Sequence, residues 1–120
     1  MTATMIMGKA VLPGGPEENA DELKVTHLLT LPWDGDGEMR DAADAESVRH
    51  DNTRRAGFAV AALEGYAERI GGADSEPVEQ HIRDLLGDLR HLCDALGADF
   101  DELSNRGGGA YDDEIMTDAG

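Results

Sequence analysis

The stretch EPVEQHIRDLLGDLRHLCDALGADFDEL, residues 76–103, contains one complete helix, the signal that ends it and the start of another helix. Its apolar residues recur every three or four positions, which is the period of an amphipathic helix. Ser75 can cap this helix, and Pro77 suits its first turn because the missing N–H is not needed there. Gly97 is a typical helix stop. The stretch predicts a helix over 76–96 with an apolar stripe of Ile82, Leu85, Leu86, Leu89, Cys93 and Leu96.

Asp99 and Glu102 indicate that a further helix starts directly afterwards. Their spacing is that of an acidic capping box, with Asp99 as the cap and Glu102 at the third helical position. Three consecutive glycines, 107–109, each cost about 1 kcal/mol relative to alanine in a helix interior. We therefore expect this helix to fray or break near Arg106. Its inner face would be formed by Phe100, Leu103, Gly107, Ala110 and Tyr111.

A third helical pattern lies upstream, over residues 53–70. Ala59, Leu63, Tyr66 and Ile70 repeat at helical spacing, and Gly71 with Gly72 ends the pattern. We expect this helix and the 76–96 helix to pack as an antiparallel pair, with their apolar stripes forming the core. Residues 53–120 are thus predicted to be a helical domain with a glycine-interrupted C-terminal end.

The N-terminal part of the chain shows the alternation of a strand. In KVTHLLTL, residues 24–31, apolar and polar side chains alternate, and residues 1–12 form a second candidate strand. Turn-forming residues separate the two. The sequence predicts a β-hairpin over 1–33, followed over 34–52 by an acidic linker or short helix. The predicted fold class is mostly α, with a minor β component.

Charge narrows the classes of partner. The chain has 26 acidic and 10 basic residues, a net charge of −16. Direct nucleic-acid binding relies on positive charge, so we expect the partner to be a basic protein surface instead. An acidic composition also keeps a protein soluble. Segment 71–103 carries −7 and segment 34–52 carries −5, so the acids form two blocks.

Cysteine content and hydropathy bear on the compartment. The single cysteine, Cys93, excludes an internal disulfide and is consistent with a reducing environment. The N-terminus lacks the basic region of a signal peptide, and no apolar run approaches the roughly 20 residues of a membrane span. We expect the protein in the cytoplasm of the host cell, without a membrane partner.

One stripe of the 76–96 helix carries potential metal ligands. His81, Asp84, Asp88 and His91 are spaced so that all four lie on one side. Imidazole and carboxylate groups suit zinc or manganese, but one helix rarely supplies a complete ligand set. The ordinary interpretation is a solvated stripe, and an interaction face is the alternative. The stripe is a weak metal candidate, and the sequence predicts no catalytic residue and no cofactor.

The segment DGDGE, residues 34–38, begins like a calcium-binding EF-hand loop. Asp34 and Asp36 occupy its first and third positions, but Met39 stands where glycine is needed and Ala45 where the bidentate glutamate belongs. We interpret this segment as an ordinary acidic loop. Trp33, just before it, is expected to anchor the core at the end of the strand, with an exposed binding hot spot as the alternative.

The segment 55–115 resembles a family of small prophage- and plasmid-encoded helical proteins. Their pattern is DLLxDLxHxxDxxGxDF followed by HYxxEI. Ala110 replaces the histidine of the second motif, and the glycines at 107–109 replace better helix formers. The resemblance implies a mobile-element origin and a helical fold, and no known reaction. The matching residues are Asp84, Leu85, Leu86, Asp88, Leu89, His91, Asp94, Gly97, Asp99, Phe100, Tyr111, Glu114 and Ile115.

Residues 85–103 also look like part of the all-α MazG-like nucleotide pyrophosphohydrolases. That group holds Mg²⁺ with acidic ExxE and ExxD motifs on two helices. The first glutamate of ExxD falls at Leu85 here, and the neighbouring helix offers Glu64 and Glu68. Since Mg²⁺ needs several converging carboxylates, a missing ligand argues against this activity.

These observations favour a small acidic, non-enzymatic binding protein of phage or mobile-element origin. Its acidic faces would compete with nucleic acid for a basic surface of a host or phage protein, in the manner of anti-CRISPR or anti-restriction inhibitors. The alternatives are a metal-dependent MazG-like hydrolase and a homodimeric structural or assembly factor. The predicted interaction face consists of Asp84, Asp88, His91, Asp34, Asp36 and Trp33.

Overall fold

The computed structural model describes residues 5–13 and 22–118. Over these residues the chain is mostly helical, which confirms the main part of the predicted fold class. The elements, in chain order, are β1 (Met5–Met7), α1 (Val25–Leu28), α2 (Ala45–Ile70), α3 (Val78–Leu96), α4 (Phe100–Ile115) and β2 (Met116–Asp118).

The predicted N-terminal hairpin is wrong. Its second strand is replaced by the short helix α1, and β1 pairs antiparallel with β2, so that Met5 lies opposite Asp118. The reason is that Val25 and Leu28, three positions apart, are both buried against α2, which a helical turn allows and an alternating strand does not. Residues 1–4 and 14–21 of the predicted hairpin lie outside the described residues.

Helix α2 begins at Ala45, eight residues before the predicted start at 53. Asp44 caps it, because its carboxylate accepts a hydrogen bond from the Ser47 N–H at 2.9 Å. The same Ser47 donors hold the pKa of Asp44 below its ordinary value of 3.8. The predicted acidic linker over 34–52 is therefore a loop only up to Asp44, and its remaining residues form the first turns of α2.

The predicted ends of α3 and the predicted start of α4 agree to within two residues with the structure, although Pro77, and not Ser75, occupies the cap position of α3. Helix α3 follows Pro77 and ends at Gly97, which has a φ of 70° that favours glycine. Asp99 caps α4 as predicted, because its carboxylate accepts the Glu102 N–H at 3.0 Å. The sequence therefore indicated where α3 ends and where α4 begins.

The predicted break near Arg106 is wrong, because α4 continues without interruption through the three glycines. Its far end is held by contacts that the sequence did not reveal. The side-chain amide of Asn52 donates to the carbonyl oxygens of Gly8 at 2.7 Å and Glu114 at 2.9 Å. Ile115 is buried, and its carbonyl accepts the Gly8 N–H at 2.7 Å. These contacts offset the low helix propensity of glycine.

The core lies between α1, the second half of α2 and the first turn of α3. Leu63 is 6 % exposed, as its predicted core position requires, but Leu89 is 40 % exposed. The prediction that the α3 stripe fills the core is therefore wrong for most of its length. The segment around α1 supplies the apolar side chains that cover α2 instead. The buried cluster consists of Leu23, Val25, Leu28, Val60, Leu63, Ala67 and Val78.

None of the helices in the described ranges is both long enough and apolar enough to span a bilayer.

Candidate functional site

The structure divides the histidine–aspartate stripe of α3 between interior and surface. His81 is fully buried, and its Nε2 lies 3.0 Å from the carbonyl oxygen of Gly71, directly after α2. His91, at the other end of the stripe, is exposed. Within residues 5–13 and 22–118, no group of three or more histidine, cysteine, aspartate or glutamate side chains is placed to hold a metal ion. His81 therefore connects the end of α2 to α3.

Asp88, from the middle of the stripe, links α3 to α2. The Tyr66 hydroxyl donates to the Asp88 carboxylate at 2.5 Å. This hydrogen bond, with partial burial and the negative charge of Asp84, raises the pKa of Tyr66 to about 12. Asp84 itself lies 3.3 Å from the Arg83 guanidinium. The two α3 carboxylates of the predicted interaction face thus have partners within the protein.

The acidic loop before α2 is organised by Asp51, which the sequence analysis did not identify. The Asp51 carboxylate is buried and accepts the N–H groups of Arg40 and Asp41, each at 2.8 Å. Burial alone would raise the pKa of Asp51, but these bonds and a contact with His50 hold it below 3.8. The sequence signal that could have identified Asp51 is its charge at a position on the inner side of α2.

His50 lies between two carboxylates. Its Nδ1 is 3.1 Å from Asp51, and its Nε2 is 3.3 Å from Asp36. Asp36 also accepts the Glu38 N–H, which lowers the pKa of Asp36. The predicted interaction residue Asp36 is therefore attached to the start of α2, whereas Asp34 is exposed on the loop.

Trp33 is half-buried and packs against the core. Its indole N–H donates to the Leu28 carbonyl at 2.7 Å, which fixes the orientation of the ring. The base of the Trp33 side chain lies against Gly57, where an added Cβ would be 2.6 Å from the Trp33 Cβ. One side of Trp33 borders an open groove whose lining also includes Phe58, Asp34 and Glu64.

This groove combines aromatic rings with carboxylates. The Arg54 guanidinium lies 6.0 Å from the centre of the Phe58 ring, so one face of that ring already has a cation from the chain itself. Asp34 and Glu64 supply negative charge at its edges. Such a lining suits the guanidinium or ammonium group of a partner's arginine or lysine.

The two acidic blocks occupy separate places along α2. Asp51 and Tyr66, which contact the first and the second block, are fifteen positions apart. At 1.5 Å per residue this spacing corresponds to about 22 Å along the helix axis. The Asp51 loop and the Asp84–Asp88 side of α3 therefore meet α2 at different levels.

The carboxylates suggested by the MazG-like resemblance do not converge. Asp88 is bound by the Tyr66 hydroxyl, Glu64 borders the Trp33 groove, and Leu85 packs against the core. Among residues 5–13 and 22–118, no three of these acidic side chains are placed to hold one metal ion.

Comparison of the chain with protein-family models, curated proteins and solved structures finds no match.

Proposed function

We propose that this protein is a non-enzymatic binding protein that presents carboxylates to a Lys/Arg-rich surface of a host or phage protein. By occupying that surface it would compete with nucleic acid, as inhibitors of the anti-CRISPR or anti-restriction type do. The observation that carries the proposal is the groove in which Trp33 and Phe58 lie beside Asp34 and Glu64. The net charge of −16 supports it, because long-range attraction speeds encounter with a basic partner.

The side of α3 that carries Asp84, Asp88 and His91 would contribute a second, weaker contact. Asp84 and Asp88 already have internal partners, Arg83 and Tyr66, so a basic side chain would have to displace or share them. His91 is exposed beside them. A partner that engages both the groove and this side of α3 needs a basic cluster for each.

A fluorescence titration tests the groove directly, because Trp33 is the single tryptophan. An arginine-rich peptide is added at low and at raised salt. We expect a saturable change in Trp33 emission that weakens as salt increases, because salt screens exposed charges. Asp34→Asn combined with Glu64→Gln should weaken binding strongly.

The matched control is Asp112→Asn with Asp113→Asn, which removes the same charge from an exposed part of α4. Equal weakening by both pairs, or affinity indifferent to salt, would contradict the groove proposal. The charge would then serve solubility alone. Affinity capture from a bacterial lysate with the wild type and the groove variant, followed by nucleic-acid competition, would identify the partner.

A further inference from the structure

Helix α3 carries an apolar row that the chain itself leaves uncovered. Ile82, Leu85, Leu89, Leu92 and Leu96 follow one another at alternating spacings of three and four. This is the a/d pattern of a coiled coil, sustained over two heptads. We name these five residues the α3 seam. Leu85 packs against the core, but the other four are between 40 % and 71 % exposed.

Helix α4 does not cover this row, because its two ends are fixed in other directions. At its start, the Arg90 guanidinium of α3 lies 5.3 Å from the centre of the Phe100 ring and 3.3 Å from Asp101. At its far end, Glu114 pairs with Arg55 of α2 at 2.8 Å. The two helices diverge between these contacts and leave an apolar groove lined by Leu86, Leu89, Cys93, Phe100, Leu103 and Ser104.

We propose that the α3 seam and this groove form the interface of a homodimer in which α3 packs against α3 of a second copy. A heptad row requires a facing helix with the same pattern, and a second copy of α3 supplies one. In a two-fold interface the same patch occurs on both sides and must complement itself. The a and d positions of the seam carry no charge, so the two rows can meet without unpaired buried charges.

The exposed area matches what a stable dimer needs. The half-exposed aliphatic residues of the seam, with Leu86 and Leu103, present on the order of 500 Å² of apolar surface, as large as patches that mark interaction sites. A standard interface covers about 800 Å² per partner, of which about 60 % is apolar.

This inference is independent of the proposed binding of a basic partner. The two can be distinguished experimentally, because salt should affect their affinities in opposite directions. Each copy carries a charge of −16, so two copies repel one another at long range. Salt screens this repulsion, so dimerisation should strengthen as salt rises, whereas binding through Asp34 and Glu64 should weaken.

Sedimentation equilibrium of the full chain over a range of concentrations tests the dimer. We expect a mass that rises from 12.8 kDa towards twice that value. Leu89→Glu and Leu96→Glu should each raise the dissociation constant roughly 30-fold or more, as loss of an interface hot spot does. Leu29→Glu is the matched control, because Leu29 is similarly exposed but belongs to the Trp33 groove.

Circular dichroism of each variant checks that the helices are retained. We expect no loss of helix, because Leu89 and Leu96 are exposed in the single chain. Alkylation of Cys93 gives a second readout: its rate should fall as the wild-type protein is concentrated and should not fall for Leu89→Glu. A wild-type mass of 12.8 kDa at every concentration would overturn the proposal. So would equal weakening by Leu29→Glu and by the seam variants.

Discussion

The Tyr66 hydroxyl donates to the Asp88 carboxylate at 2.5 Å and joins α2 to α3 through a side chain from each helix. Donation to a carboxylate stabilises the neutral phenol, and the pKa of Tyr66 is raised to about 12 from an ordinary value of 10.0. The contact gives the junction of the two helices a defined response to alkaline pH.

Ultraviolet titration should show that response. The difference between the wild type and Tyr66→Phe should be a phenol that ionises near pH 12. Because the pKa is higher in the folded state, the stabilisation is complete below about pH 10, the usual tyrosine pKa. It is lost as pH rises through the folded value. Asp88→Asn should move the Tyr66 transition back towards pH 10, and a wild-type transition already at that value would contradict the contact.

Acid should weaken the loop that Asp51 organises. The pKa of Asp51 is lower in the folded protein than its ordinary 3.8, so its contribution is present above about pH 4 and is lost as pH falls through the folded value. Asp51→Asn should lower the free energy of unfolding near neutral pH by about 1.5–3 kcal/mol, the usual contribution of hydrogen bonds to a charged group. It should also flatten the acid limb of the stability curve.

The control for that measurement is Asp94→Asn, which changes an exposed carboxylate on α3. Urea unfolding at several pH values compares the two variants. A loss from Asp94→Asn as large as that from Asp51→Asn would mean that net charge, and not the loop hydrogen bonds, determines the effect.

Leu63 and Leu89 are both predicted core residues, but their substitution should lower the free energy of unfolding by different amounts. Leu63→Ala should cost roughly 2–5 kcal/mol, because Leu63 is 6 % exposed in the core. Leu89→Ala should cost less than about 1 kcal/mol at protein concentrations low enough to keep single chains apart. Denaturant unfolding measures both, and equal losses in dilute solution would mean that Leu89 is buried within one chain.

Glycine-to-alanine substitutions in α4 and α2 should change the stability of the protein in opposite directions. Gly108 lies in α4 with no atom near the position of an added Cβ, so Gly108→Ala should stabilise by up to about 1 kcal/mol through helix propensity. Gly57→Ala should destabilise, because its Cβ would lie 2.6 Å from the Trp33 Cβ. Thermal melts of the two variants suffice, and stabilisation by Gly57→Ala would show that Trp33 does not pack there.

Periodicity and capping residues predicted the ends of α3 and the start of α4, because those signals are local. Gly97 and the Asp99–Glu102 pair gave the boundary between α3 and α4. The alternation in 24–31 misled because Val25 and Leu28 fit a helical turn as well as a strand, and packing against α2 decided between them. The apolar stripe of α3 does not by itself show which element covers it. The prediction that it fills the core was wrong for this reason, because α1 covers α2 instead.

The candidate site was less predictable for the same reason. The Trp33 groove is lined by residues from two segments of the chain. Glu64 lies on α2, and no sequence motif connects it with Trp33. The spacing within α3 placed His81 among possible surface ligands. Its contact with the Gly71 carbonyl depends on the turn between α2 and α3, which that spacing does not reveal. The sequence identified the residue types, and the long-range contacts determined their roles.

The pairing of β1 with β2 has a consequence for how the chain folds. Met5 and Asp118 are more than a hundred positions apart, so this ladder closes a loop that contains almost the whole domain. Closing so long a loop loses chain entropy before any contact compensates for it, and contacts of high sequence separation slow folding. The strand pair should therefore form late and open early, and amide hydrogen exchange should be faster there than in the second half of α2.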